Sequence, residues 1–406
     1  MEQELISTMN ILVVCQYYYP EPFKITELCY ELVKKGYSIT VLTGIPNYPE
    51  GEIYSGYGLF RKNLETINNI EIIRIPIVPR GKSKLTLVLN YLSFAINGSL
   101  YTLFSDRKFD RVFIYQLSPV FMAIPGIIYT KMHKAPLILY MLDLWPDSFL
   151  QTENVSNQFI QHVLYQMSKW IYKQSSKIAV SSRGFIDALE LMGCNKKAII
   201  YIPQFADDAS IVNPEVCSEY KKQEDSFSII FAGNIGFAQG LDIVLDAAEI
   251  TQEKAANIRW TIVGNGRAKT SLQAACKDKK IKNVRFVGRV SSVEASTMIK
   301  GSDAALLVLA KSRLFSVTIP AKLQTYMSCG VPVLCAVDGE AARIIEDADA
   351  GLISQAGDAK QLAENAIKLS AMSKEQIQRY RNNSREYYMD HFTKDKNVRM
   401  ICSLLN

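Results

Sequence analysis

Short apolar runs alternate with stretches of helical period along all 406 residues of the chain. In the first half, Asn10–Cys15 reads as a buried strand, Phe23–Lys35 as a helix stopped by Gly36, and Ser38–Thr43 as the next strand. Runs at Ile70–Ile75, Asp110–Tyr115, Pro136–Met141, Lys177–Ser181 and Ala198–Ile202 repeat the theme. A polar, irregular stretch follows from about Ala206 to Ser226, and then the pattern restarts. Ser228–Ala232, Arg259–Val263, Val284–Val287, Ala304–Val308 and Val331–Cys335 are its strands, with helices beginning near Gln239, Arg267, Ser291, Ile319, Glu340 and Asp358. Strands that are apolar on both faces and separated by helices indicate a parallel sheet covered on each side. Two such series predict an α/β protein of two Rossmann-like, doubly wound domains facing a central cleft. The expected boundaries are 1–205, a linker 206–226, a second domain 227–385, and a C-terminal helix over 386–406 returning to the first domain.

The segment Lys84–Phe104 departs from this rhythm, because it is apolar enough to raise the question of a membrane span. Asn90, Ser93, Asn97, Ser99 and Thr102 recur within it, which favours a helix packed in the domain or lying at an interface. Arg80, Lys82 and Lys84 precede it and suit either anionic head groups or an ordinary solvated loop.

Composition narrows the class. With 48% hydrophobic and 21% charged residues, the chain is globular, and its net charge of +6 is too modest to argue for nucleic acid. The eight cysteines are scattered without a C-x-x-C, and only His133, His162 and His391 are available as partners, so a zinc site is not expected. Reduced thiols fit a cytoplasmic setting. Met1 is followed by Glu2 and Glu4 instead of a basic stretch, so no export signal is expected, and residues 1–8 read as an extension before the first strand.

In open parallel sheets ligands bind outside the carboxyl ends of the strands, so the residues following each strand matter most. Gly233, Gly236 and Gly240 bracket a strand-to-helix turn that is either a phosphate cradle or merely tight. Val263-Gly-Asn-Gly-Arg267, with Gly264 and Asn265, stands at the next strand end but lacks the full dinucleotide spacing. In Thr318-Ile-Pro-Ala-Lys322, Pro320 opens a helix and Lys322 falls in its first turn, unfavourable for a cation unless an anion also binds there. In the first half, Asp143 and Asp147 flank Trp145 after a buried strand. Asp143 is placed to orient an acceptor hydroxyl or take its proton, whereas Asp147 also suits a helix start and Trp145 a core position. Asp347-Ala-Asp349 spells D-x-D, but it ends a helix before Gly351 and reads as a solvated turn; no metal is assigned.

These residues resemble the family 4 (group 1) retaining glycosyltransferases of GT-B fold, in particular a bacterial surface-polysaccharide branch with L-fucosamine and colanic acid transferases. The markers are Gln16-Tyr-Tyr-Tyr-Pro-Glu-Pro22, Thr43-Gly-Ile-Pro-Asn-Tyr-Pro-Glu-Gly51, Asp143-Leu-Trp-Pro146, Gly233-Asn-x-Gly-x-x-Gln-Gly240 and Pro320-Ala-Lys322. The resemblance implies that the second domain binds a nucleotide diphosphate sugar and the first binds the acceptor. The family's Arg and Lys at the donor diphosphate fall at Asn234 and Gln239, and its E-x7-E pair at Val317 and Thr325. Lys322 and Arg289 then supply positive charge, and Gly339 with Glu340 contact donor-sugar hydroxyls in place of a lost carboxylate. Glu21 and Lys24 complete the donor site, and Tyr18, Asn47, Tyr48, Trp145 and Asp147 receive the acceptor.

The expected mechanism has Lys322, glycine-rich amides and helix N-termini stabilising the departing nucleoside diphosphate without a metal or other cofactor, while Asp143 serves the acceptor. UDP is favoured over GDP, and a polyprenyl-diphosphate-linked sugar is the expected acceptor. The expected location is the cytoplasm, peripherally on the inner face of an anionic membrane. The missing acidic pair leaves open a non-catalytic partner subunit, and the shared architecture leaves open a sugar-nucleotide epimerase.

Overall fold

Val and Ile recur through the apolar runs, and their β-branched side chains favour extended backbone packed on both faces. The computed structural model describes residues 9–81, 83–209 and 225–406. The N-terminal extension, Lys82 and most of the predicted linker, with Cys217, lie outside the described residues. Two compact units emerge, Met1–Ile202 with Val398–Asn406, and Pro203–Asn397.

The first unit holds β1 (Asn10–Val14), β2 (Ser38–Gly44), β3 (Leu64–Ile67), β4 (Ile70–Ile75), β5 (Arg111–Gln116), β6 (Leu137–Met141), β7 (Lys177–Val180) and β8 (Ile199–Tyr201). They form one sheet in the order β3-β4-β2-β1-β5-β6-β7-β8. Only β3 is antiparallel, paired with β4 through Ile67↔Ile70 across Asn68 and Asn69, both at positive φ. A two-residue turn of this kind closes a tight hairpin. The sequence reading missed β3 because an edge strand with half-exposed alternation carries little apolar signal.

The second unit holds β9 (Phe227–Ala232), β10 (Ile258–Val263), β11 (Val284–Val287), β12 (Ala304–Val308), β13 (Val333–Ala336) and β14 (Gly351–Ser354). Its order is β11-β10-β9-β12-β13-β14, all parallel. This is the 3-2-1-4-5-6 winding of a dinucleotide-binding sheet, in which the connection reverses direction beside the first strand. Apolar cores cover both faces, one around Phe231, Trp260 and Leu306, the other around Ile230, Leu307 and Tyr326.

The chain's end differs from the single helix expected over 386–406. Helix Lys374–His391 belongs to the second unit, where the Ser384 hydroxyl donates to the Val331 carbonyl at 3.1 Å. Helix Lys394–Leu405 then carries the last residues to the first unit, where Arg111 Nε donates to the Leu405 carbonyl at 3.2 Å.

Lys84–Phe104 is one helix with a Ser83–Thr86 capping box. Its polar side chains serve the domain: Asn90 Nδ2 donates to the Val78 carbonyl at 2.6 Å, and Asn97 Nδ2 to the Pro76 carbonyl at 2.7 Å. One stripe, including Leu87, Tyr91, Phe94 and Gly98, is buried. A Cβ at Gly98 would lie 2.7 Å from Pro125 Cγ, so a larger residue would push this helix off its neighbour.

Candidate active site

The second unit opens a cavity of about 650 Å³ at the carboxyl ends of β9, β10 and β11. That size falls within the range of small-molecule sites. Its walls include Gly233 and Asn234 after β9, Gly264 and Asn265 after β10, Arg289 and Ser291 after β11, and Lys322 and Thr325 on the helix after β12.

Backbone geometry explains the glycines. Gly264 has φ +136°, and a Cβ there would meet the Gly233 carbonyl oxygen at 1.9 Å. Gly233 has φ +149°, and its Cβ would stand 2.4 Å from Lys322 Cε. Two strand-end turns are thus pressed together, and the lysine stem lies over the bare backbone of one of them. Tyr326, one helical turn beyond Lys322, accepts the Ala232 N–H at 3.2 Å and fixes the helix to the end of β9.

Lys322 is the central charge. Its Nζ donates to Gln239 Oε1 at 2.5 Å and sits 5.0 Å from the Phe231 ring centroid. No carboxylate pairs with it among the described residues. Burial without an ion-pair partner pulls its pKa down from 10.5 to about 8. Arg289 is exposed on the opposite wall and makes no ion pair among the described residues. Helices Ser292–Lys300 and Ala321–Ser328 both start at the cavity, and their N-termini add partial positive charge. The acidic lining residues are Asp207 and Asp208, and Asp208 is paired with Arg385 at 2.8 Å.

Other expected donor residues stand elsewhere. Gly236 precedes the short turn Phe237–Gln239, outside the cavity wall, and Gln239 reaches the site only through Lys322. Pro320 is the N-cap of helix Ala321–Ser328 instead of lying in its first turn. Gly339, at φ +70°, is required by close packing, because a Cβ would meet the Ser316 carbonyl at 2.0 Å. Glu340 is buried and pairs with Arg343 on its own helix at 2.7 Å. Neither Gly339 nor Glu340 is among the residues that line the cavity.

In the first unit, Asp143 follows β6, its carboxylate accepting the Ser148 hydroxyl at 2.9 Å and its carbonyl the Gln116 amide at 3.1 Å. Burial raises the Asp143 pKa, opposed by the Ser148 bond. Trp145 is in the core, 1% exposed, with its indole N–H donating to Ser118 Oγ at 2.7 Å. Asp147 begins helix Asp147–Thr152.

The loops after β1 and β2 are joined by Glu21, which is 3% exposed. Its carboxylate accepts the backbone N–H groups of Asn47 and Tyr48 at 2.8 and 2.7 Å and of Tyr18 at 3.1 Å. Burial outweighs these bonds and carries its pKa up to about 7. Glu21 therefore clamps the two loops together through backbone N–H groups. Asn47 is equally committed, accepting the Arg80 N–H at 2.8 Å and donating to the Ile45 carbonyl at 2.9 Å. The Tyr18 side chain is buried, so it offers no surface to an acceptor. Tyr48 packs on Tyr17 and Phe23, and Lys24 pairs with Glu27 at 3.4 Å.

The sequence reading passed over Tyr326 and the serines at the start of helix Ser292–Lys300. Tyr326 lies four residues after Lys322, hence on the same helical face, and Ser291 heads a helix with Glu294 completing its capping box. Both signals were available. Asp207 and Asp208 had none, because they lie in the polar stretch that follows β8 and belong to no apolar period. Among the described residues no cluster of His, Cys, Asp and Glu could hold a metal ion.

The two parallel-sheet α/β units make the fold one of the GT-B type, with two Rossmann-like domains. Residues 214–387 match the family of glycosyl transferases group 1, and the match falls within the cavity-bearing unit. The chain is 23% identical over 345 residues to a putative colanic acid biosynthesis glycosyl transferase, WcaI, of Escherichia coli, covering 79% of this chain and 82% of that protein. It is 22% identical to a probable glycosyltransferase, WbjE, of Pseudomonas aeruginosa, over 53% of this chain and 54% of that one. Among solved structures it is similar to the sucrose-phosphate synthase of Thermosynechococcus elongatus, with TM-score 0.74, 13% identity and 98% coverage of both chains. HepE of Anabaena in complex with UDP and glucose gives TM-score 0.70 and 15% identity, covering 98% of this chain and 99% of that one.

Proposed function

We propose that the chain transfers a sugar from a UDP-linked donor, with retention at the anomeric carbon and without a metal, to a lipid-linked or oligosaccharide acceptor in surface-polysaccharide synthesis. One observation carries this reading: Lys322, without a carboxylate partner, at the floor of a cavity formed by strand-end glycines and two helix N-termini. That arrangement suits a diphosphate. The HepE complexes with UDP and with UDP-glucose support the donor class, and the colanic acid relative supports the pathway. The acceptor is a polyprenyl-diphosphate-linked sugar presented at the inner face of the cytoplasmic membrane.

In the proposed step the bond between the anomeric carbon and the β-phosphate oxygen breaks, and its electron pair stays on the leaving UDP. Lys322, Arg289 and the amides at Gly233 and Gly264 stabilise that charge. The acceptor oxygen forms the new bond, and its proton passes to the Asp143 carboxylate.

The purified protein is tested with UDP- and GDP-sugars, with and without a polyprenyl-diphosphate sugar. UDP release that requires acceptor, with product of retained anomeric configuration by NMR, is the expected result. Donor binding without turnover would instead identify a non-catalytic partner, and an isomerised donor an epimerase.

A further inference from the structure

Two helices of the first unit bury one face and leave the other bare. On Lys84–Phe104 the exposed apolar positions include Leu85, Leu89, Leu92, Ile96, Leu100 and Leu103, spaced as a single helical stripe opposite the buried one. On Gln158–Tyr172, Phe159, Ile160, Val163, Met167 and Trp170 form a second exposed stripe, with Tyr165 exposed on another side of the helix. Several are far from marginal: Leu85 is 69% exposed and Phe159 75%. Helix Ile124–His133 links the two, packing on the first through Pro125 and on the second through Lys131, whose Nζ lies 5.2 Å from the Trp170 ring. An exposed apolar area drawn from adjacent helices marks an interaction surface.

Charge identifies what covers it. These three helices contain no Asp or Glu, in a chain with 40 acidic residues. Their charged side chains are Lys84, Lys131 and Lys169, with Lys134 and Lys173 at C-caps and two histidines besides. Glu153, outside these helices, pairs with Lys84 at 3.7 Å. A second copy docked face to face about a two-fold axis would set lysine against lysine. An anionic bilayer satisfies both features, apolar side chains entering the interface and lysines meeting head groups. The aromatic Trp170, with a cation stacked on it, suits the head-group level.

We infer that these two stripes form a membrane-docking face, on which the first unit lies against anionic lipid without spanning it. The buried stripe of Lys84–Phe104, tied to the domain by Asn90 and Asn97, keeps that helix in the fold. The inference rests on the lipid-linked acceptor proposed above and supplies the surface by which the enzyme meets it.

The test uses the full chain and the double variant Leu92→Glu/Ile96→Glu, both positions being exposed and outside the donor cavity. Co-sedimentation is measured with vesicles of equimolar phosphatidylglycerol and phosphatidylcholine and with phosphatidylcholine alone. Wild type is expected to bind the anionic vesicles and, weakly or not at all, the neutral ones, and the variant to bind at least about tenfold less. Unfolding temperature and UDP affinity should not change between them. Equal binding by variant and wild type, or no binding by wild type, overturns the inference. So does a wild-type dimer that the variant converts to monomer, because the face then belongs to a second copy. UDP release to a water-soluble acceptor, measured alongside, separates the two readings. If it persists without vesicle binding, only the membrane inference fails; if it is absent while vesicle binding holds, only the transfer reading fails.

Discussion

Replacing Lys322 with Met keeps a long flexible side chain and removes the charge, which makes it the sharpest perturbation of the proposed chemistry. In the unliganded fold this ammonium has a neutral amide at 2.5 Å and an aromatic face, and burial holds its pKa near 8. An unfolded lysine titrates near 10.5. Between those values the unfolded chain holds the extra proton, so stability rises as pH climbs through that window, and below it the charged side chain disfavours folding. The Met variant is therefore expected to unfold at the same temperature as wild type or higher at neutral pH. Function should move the other way. A charge-assisted hydrogen bond contributes about 1.5–3 kcal/mol, which is about 10- to 150-fold in UDP affinity. If the lysine also meets charge building on the leaving group, kcat should fall about 10²- to 10³-fold. Calorimetric titration with UDP and initial rates of UDP release separate the two effects. Wild-type UDP affinity should also weaken as pH rises past about 8, while the variant's stays flat. Normal turnover by Lys322→Met, or lost turnover with lost folding, would refute the assignment.

Gly233→Ala should lower both unfolding temperature and UDP affinity, since its Cβ would meet Lys322 Cε at 2.4 Å in a conformation that costs about 1–3 kcal/mol for other residues. Gly236→Ala, whose Cβ meets only Asn234 Nδ2 at 3.0 Å, should cost less in both assays. Glu21 binds its proton more tightly in the fold, with pKa about 7 against 4.5, so its contribution is full below about 4.5 and lost as pH rises through about 7. Glu21→Gln should remove that slope from denaturation midpoints and, by setting an amide against backbone N–H groups, destabilise the chain by about 1–3 kcal/mol near neutral pH. Asp143→Asn should lower kcat about 10²- to 10⁴-fold with UDP affinity unchanged, because Asp143 lies outside the donor cavity; unchanged turnover would remove it from the mechanism.

The parallel sheets were legible because central strands are apolar on both faces: Ala304–Val308, buried throughout, matches the structure residue for residue. Lys322 was legible for a different reason, as a cation in a helix first turn that local electrostatics disfavours. Residues proposed from the markers of the first half fared less well. Glu21, Asn47 and Trp145 occur in recognisable motifs, yet their hydrogen bonds show loop and core roles. Motif spacing reports which residues cluster, but whether a polar side chain faces a ligand or its own backbone depends on tertiary hydrogen bonding. Glu340 illustrates the same limit: it stands at a strand's carboxyl end, as expected, and turns to Arg343 three residues on. The exposed stripes were legible only in part: Lys84–Phe104 stood out as apolar, but not which of its faces is bare. An apolar helix face reads the same from sequence whether it meets the core or the solvent.

The central claim is that UDP occupies the second-unit cavity with its diphosphate at Lys322, and amide hydrogen exchange with and without UDP tests it most directly. Slowed exchange should be confined to the segments 232–240, 263–267, 289–296 and 320–328, and should disappear in Lys322→Met at the same UDP concentration. Protection elsewhere in the chain, or protection that survives the loss of Lys322 undiminished, would contradict the account.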